Sequence, residues 1–101
     1  EAVMDQLQED GLLSDERFSE AYVHARVQRG YGPQRLAEEL RERGVDDNLV
    51  SAVLGLDWDW SARADAAFAK RFPEGPAQDL RERAKQLAFM RYRGFADFRL
   101  D

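Results

Sequence analysis

Between Ser14 and Leu54 the chain reads SDERFSEAYVHARVQRGYGPQRLAEELRERGVDDNLVSAVL, and the start and stop signals in it leave room for little except three short helices. Ser14 is suited to cap the first, since its hydroxyl can accept from a backbone N–H that has no partner inside the helix. Asp15 and Glu16 then sit at the positive end of the helix dipole, and Arg26 and Arg29 at the negative end. Leu13 and Phe18 have the spacing of a hydrophobic staple. Gly30 stops this helix. Gly32 can cap the next, and Pro33 fits its first position, where a missing N–H costs nothing. The second helix ends at Gly44, with Val45 placed to fold back on Leu40 in a Schellman turn. Asp46 caps a third helix carrying Leu49, Val50, Val53 and Leu54.

The flanking segments follow the same logic. Residues 1–10 read as the end of a helix, with Val3, Met4 and Leu7 on one face and Gly11 as the stop. After Ser14, the spacing of Phe18, Ala21, Tyr22 and Ala25 predicts the core stripe. Val23 and Val27 lie roughly opposite, so this helix is either covered on two sides or carries two exposed valines. Leu36, Ala37 and Leu40 form the stripe of the next helix. Arg35–Glu39, Glu39–Arg43 and Glu38–Arg41 then read as a solvated face, each pair worth about 0.2–0.5 kcal/mol. Further on, Asp57 or Asp59 would cap a helix with Trp60, Ala64, Ala67 and Phe68 inward, broken at Phe72, Pro73 and Gly75. Gly75-Pro76 repeats the Gly32-Pro33 start, and a longer helix with Leu80, Ala84, Leu87 and Ala88 inward would run to Gly94. Phe95 follows Gly94 as Val45 follows Gly44. The order of helix, break, Gly-Pro, helix and Arg-Gly-apolar stop occurs twice, which implies tandem helical units that cover one another.

Catalytic parts are scarce. His24 is the one histidine and there is no cysteine, so neither a nucleophilic triad nor a zinc site assembles from the usual residues. Glu38/Glu39 and Asp46/Asp47 are sequence neighbours whose side chains diverge on a helix or serve its cap. Gly30-Tyr31-Gly32 follows a helix and lacks the strand and later glycine of a phosphate loop. The expectation is a protein that is not an enzyme, with no catalytic residue, metal, cofactor or small-molecule substrate. No run approaches the roughly 18 apolar residues of a membrane span and no signal peptide opens the chain, and the lack of cysteine suits a reducing cytoplasm. Both ends look cut from a longer protein: Glu1 is not an initiator Met, and Asp101 follows what reads as a helix start.

Charge divides the chain. Residues 1–59 hold 14 acids and 6 bases, whereas residues 60–101 hold 6 acids and 9 bases. The net charge of −5 argues against tight binding to bare DNA. It leaves room for a local basic patch, and Leu80 to Phe95 supplies one. There Arg81, Arg83, Lys85, Arg91 and Arg93 face only Glu82 and alternate with Phe89, Tyr92 and Phe95. Such interleaving suits phosphate contacts with stacking, or a protein interface; the alternative is that the aromatics are core and the arginines solvated.

Leu13-Ser14-Asp15 with Arg17-Phe18, Arg29-Gly30-Tyr31-Gly32-Pro33, Glu39-Leu40 with Gly44-Val45, and Tyr92-Arg93-Gly94-Phe95 together resemble the RecX family, bacterial regulators of the recombinase RecA. The resemblance implies an all-α fold of tandem three-helix repeats in an elongated, curved arrangement. Residues 1–13 would be the tail of a truncated first repeat, 14–56 a whole second, and 57–101 a third with its last helix cut short. It implies a regulator that lodges in the groove of RecA–DNA filaments and damps ATP hydrolysis, strand exchange and co-protease activity. Arg26, Arg29, Tyr31 and Arg35 around the Gly-Pro turn, with Arg81, Arg83, Lys85, Arg91 and Arg93, are then the candidate contacts. Glu38, Glu42, Asp46 and Asp47 are a candidate acidic steering surface. Competing readings are a stand-alone helical nucleic-acid-binding module and a helical scaffold without a specific partner. Direct contact with single- or double-stranded DNA is expected to be weak and confined to the Arg81–Arg93 helix.

Overall fold

A computed structural model describes residues 2–55 and 58–100, with the side chains of the first helix from Asp15 onward. Its elements are α1 (Ala2–Gln28), α2 (Pro33–Glu42), α3 (Asp47–Gly55), α4 (Trp60–Arg71) and α5 (Leu80–Arg93). The described residues contain no strand. The molecule is elongated, 62 Å along its major axis and 21 × 18 Å across.

The turns form as their local chemistry dictates. At Gly44 and Gly94 the chain takes positive φ and closes a Schellman pair. Gly44 N donates to Arg41 O and Val45 N to Leu40 O, while Gly94 N donates to Arg91 O and Phe95 N to Met90 O. The apolar residue after each glycine, Val45 or Phe95, is buried. Asp46 caps α3 by accepting from Asn48 N at 2.9 Å, and Asp59 caps α4 by accepting from Ala62 N at 3.0 Å. The alternative cap Asp57 lies outside the described residues.

Three expected features are corrected. First, Gly11 does not end a helix and Ser14 does not begin one: α1 runs through both. A helical glycine costs about 1 kcal/mol against alanine, too little by itself to end a helix. Second, the buried face of α1 is not Phe18, Ala21, Tyr22 and Ala25. Phe18 is 44% exposed and Ala21 and Ala25 face solvent, while Ser19, Val23 and Val27 are buried. These three form a ridge of i+4 spacing, and the small Ser19 lets α1 approach closely. Val23 and Val27 join Leu36, Leu40, Val45, Val50 and Val53 in the first core, which α1, α2 and α3 enclose as one three-helix unit.

Third, Gly75-Pro76 starts no helix, and Leu80, Ala84, Leu87 and Ala88 do not form the inner face. Leu80 is 83% exposed, Ala84 and Ala88 are exposed and Leu87 only half-buried, whereas Gln86 and Met90 are buried. The reason is Gln86, whose amide oxygen accepts from Ala77 N at 2.9 Å and whose nitrogen donates to Gly75 O at 3.2 Å. A buried amide satisfied at both ends holds the turning 72–79 segment out of the helix, and Asp79 caps α5 instead, through Glu82 N at 3.1 Å. Ala64, Phe68, Met90 and Phe95 make the second core, flanked by Phe72, Phe89, Phe98 and Leu100. Beyond Gly94 the described chain turns and runs without further helix to residue 100. Trp60 packs against both cores, and its indole N–H donates to Leu54 O at 3.0 Å, tying the start of α4 to the end of α3.

Candidate partner-binding surface

The two motifs richest in glycine and aromatics, Gly30-Tyr31-Gly32-Pro33 and Tyr92-Arg93-Gly94-Phe95, meet in space. Gly32 N donates to Arg93 O at 2.6 Å and Gln34 N to Gly94 O at 3.1 Å. The N-terminal N–H groups of α2 and the C-terminal carbonyls of α5, each without a partner in its own helix, thus satisfy one another. Arginines finish the arrangement. Arg35 Nη1 donates to Tyr92 O and Arg93 Nη1 to Arg29 O, both at 3.1 Å, placing positive charge on the C-terminal ends of α5 and α1. A Cβ on Gly32 would come within 2.6 Å of Gly94 O, and one on Gly94 within 2.6 Å of Arg35 Cβ. The backbones approach too closely for any side chain.

The Tyr31 ring is the hub. The Arg26, Arg93 and Arg35 guanidinium carbons lie 3.9, 4.7 and 4.9 Å from its centroid, and Arg35 also lies 4.5 Å from that of Tyr92. Glu39 holds two of these arginines. It accepts from Arg26 at 2.7 and 3.1 Å, from Arg35 at 3.0 Å and from the Tyr22 hydroxyl at 2.6 Å. Burial alone would raise the Glu39 pKa, but hydrogen bonds from Arg26, Tyr22 and Arg35 outweigh it and lower it to about 2. Burial and the bond to Glu39 push Tyr22 up, and Arg35 rises chiefly through its bonds to Tyr92 and Glu39. Glu39 is therefore an interior ion-pair centre and not part of a solvated face.

The remaining predicted contacts disperse. Arg81 is exposed, Lys85 pairs with Glu82 at 3.3 Å, and Arg83 donates to Ala77 O, bracing the 72–79 segment. Arg91 lines an open groove with Glu38, Glu42 and Tyr92. Of the acidic set, Asp46 caps α3 and Asp47 pairs with Arg41 at 2.8 Å, leaving Glu38 and Glu42 toward the groove. The lone His24 rests against Trp58, ring centroids 4.8 Å apart.

A second groove of about 340 Å³ was not read from the sequence. It lies between the end of α1, α4 and the end of α5. Arg29, Arg63, Lys70, Arg71 and Arg93 line it, and no carboxylate does. The available signal was the spacing of Arg63 from Lys70 and Arg71, seven and eight residues, which puts all three on one face of α4 with Ala66 and Ala67.

The fold defines the class: an elongated all-α protein in which one three-helix unit, α1 to α3, is joined to a second core built by α4 and α5. A family model described as the second three-helix domain of RecX matches residues 14–54. The chain is 46% identical over 94 residues to a regulatory protein RecX of Halorhodospira halophila, covering 92% of this chain and 58% of that protein. It is 39% identical over 97 residues to the one of Pseudomonas entomophila, covering 95% and 63%. For that of Chromohalobacter salexigens the identity is 43% over 95 residues, covering 93% and 62%. The chain belongs to the RecX family of regulatory proteins and spans about three-fifths of the length of the curated relatives it matches. No helix among the described residues is long and apolar enough to cross a membrane.

Proposed function

We propose that this chain is part of a cytoplasmic regulator that binds the RecA filament on DNA and lowers its ATPase, strand-exchange and co-protease activities, without catalysis of its own. The observation that carries this reading is identity of about two-fifths, over more than nine-tenths of the chain, to proteins named regulatory protein RecX. The geometry agrees with it. A rod 62 Å long suits a groove that crosses several protomers. In this reading the chain holds the tail of one repeat (1–13), a full repeat (14–56) and most of a third (57–101). The Gly-Pro joint keeps the last two at a fixed angle, so that both engage the filament together. Arg26, Tyr31, Arg35 and Arg93 then act mainly by setting that angle, and Arg29, Arg81 and Arg91 are the contacts with free reach. Titration of the chain into a RecA–single-strand-DNA ATPase assay should lower turnover in a saturable way. Full turnover at tens of micromolar chain refutes the reading.

The carboxylate-free basic groove favours one alternative, a stand-alone nucleic-acid-binding module. Salt decides between them, because binding through displaced counterions weakens steeply with ionic strength. Sub-micromolar affinity for bare DNA at physiological salt would favour the module.

A further inference from the structure

We propose that the groove between α1, α4 and α5 holds a few consecutive phosphates of one nucleic-acid strand, irrespective of base sequence. Four arginines and a lysine converge there, in a protein whose net charge is −5. None of the five forms an ion pair among the described residues, although Arg26, Arg35, Arg41 and Lys85 elsewhere do. Uncompensated like charges repel one another, so such a cluster is at its most stable when an anion fills it. The groove is also ordered in advance. Arg63 lies 5.5 Å from the Trp58 ring, Arg71 5.0 Å from Phe72, and Arg93 5.0 Å from Phe89. Guanidinium groups held on aromatic faces lose little freedom when a phosphate docks. Along α4, Arg63 and Lys70 are separated by about 10 Å of helix, room for a short run of backbone.

The lining chooses the occupant. Its apolar part is Val27, Ala66, Ala67 and the half-buried Phe89. Phe89 already has Arg71 and Arg93 against it and packs perpendicular to the Phe72 ring. Two alanines, a valine and an already covered ring offer little apolar surface to a peptide's side chain or a base. What remains is a row of charges, which a phosphodiester backbone fits and which carries no sequence information. The groove is too small for a duplex to enter.

In biological context the proposal rests on the reading of a regulator acting on a DNA-bearing filament, but strand binding is measurable without RecA. The test is fluorescence anisotropy of labelled oligothymidine and of a mixed-sequence oligonucleotide of equal length, titrated with the chain at several salt concentrations. Arg63→Gln, Lys70→Gln and Arg71→Gln together should weaken binding at least tenfold for both strands. They should also flatten the log–log salt dependence by about 2, at about 0.7 per phosphate contact. The control of equal charge, Arg17→Gln, Arg41→Gln and Arg99→Gln, changes exposed arginines outside the groove and should shift affinity less than about threefold. Lys70→Glu alone, at an exposed position that cannot disturb packing, should reproduce part of the loss if the triple variant fails to fold. Equal losses in groove and control variants overturn the proposal, as does unchanged affinity of a folded groove variant. It is likewise overturned if Arg81→Gln with Lys85→Gln removes binding, or if polyglutamate competes better than the strand. The ATPase assay on the unaltered chain judges the RecA reading separately, whichever way strand binding turns out.

Discussion

Gly32→Ala isolates the joint between the two helical units. In an open chain this change stabilises, by about 0.4–1 kcal/mol, because alanine restricts the unfolded state. The backbone of Gly32 also raises no objection, since φ −106° and ψ 176° suit any residue. The obstacle is space alone. The new methyl would lie 2.6 Å from Gly94 O, 2.7 Å from Gly94 C and 2.7 Å from Phe95 Cδ1. Two of these are backbone atoms fixed by the Schellman turn, so α2 and α5 must separate. Separation loosens the bonds from Gly32 N to Arg93 O and from Gln34 N to Gly94 O. At about 1 kcal/mol each, with about 1–3 kcal/mol for overpacking, the net cost is about 2–4 kcal/mol. For a domain of this size that lowers Tm by roughly 10 °C or more. The assay is urea and thermal unfolding followed by far-UV circular dichroism and by tryptophan fluorescence. Trp60, which packs on both cores, reports the joint. The fluorescence transition should precede the dichroism transition as the units part. Stability equal to or above that of the unaltered chain would refute the account, because then the motifs do not press together as described.

Three further outcomes follow from the same geometry. Glu39, held at about 2 by Arg26, Tyr22 and Arg35 against an ordinary value of 4.5, contributes stability that is complete above pH 4.5 and lost as pH falls toward 2. Glu39→Gln should therefore lower the unfolding free energy measured in urea at pH 7, by an amount on the order of 3 kcal/mol, and flatten its dependence on pH between 4.5 and 2; parallel pH curves would show that the cluster does not hold Glu39 ionised. Gly44→Val should cost roughly 1 kcal/mol or more in thermal unfolding, wholly from the positive φ of 81°, since a Cβ there meets nothing within 4 Å. On the proposed reading of a RecA regulator, Glu38→Gln, Glu42→Gln, Asp46→Asn and Asp47→Asn together should slow association with the RecA filament at low salt, with folding preserved because Asn can still cap α3; an unchanged association rate by stopped flow would make the acidity a solubility feature.

The features legible in the sequence are those whose cause lies within about five residues. Gly44-Val45 and Gly94-Phe95 closed their turns, and Asp46 and Asp59 capped their helices, because φ preference and N–H geometry are local properties. Leu36 and Leu40 read correctly as core, being the apolar members of a short and otherwise charged helix. Only tertiary structure decided which face of α1 is inside. Phe18–Ala25 and Ser19–Val27 are both acceptable stripes, and the choice fell to whichever ridge could seat closely on α2 and α3. Only tertiary structure placed Gln86 inside, where two backbone groups of the 72–79 segment satisfy it. The site followed the same division. Arg91, Arg93 and Tyr31 stood out as residue types in the chain, yet Arg93 and Tyr31 lie 62 positions apart in sequence and 4.7 Å apart in space. That pairing depends on the path of the chain from α3 through α4 to the end of α5. Likewise Arg29 and Arg93 join Arg63, Lys70 and Arg71 in one groove only because three helices bring them together, and no local rule of spacing can express that.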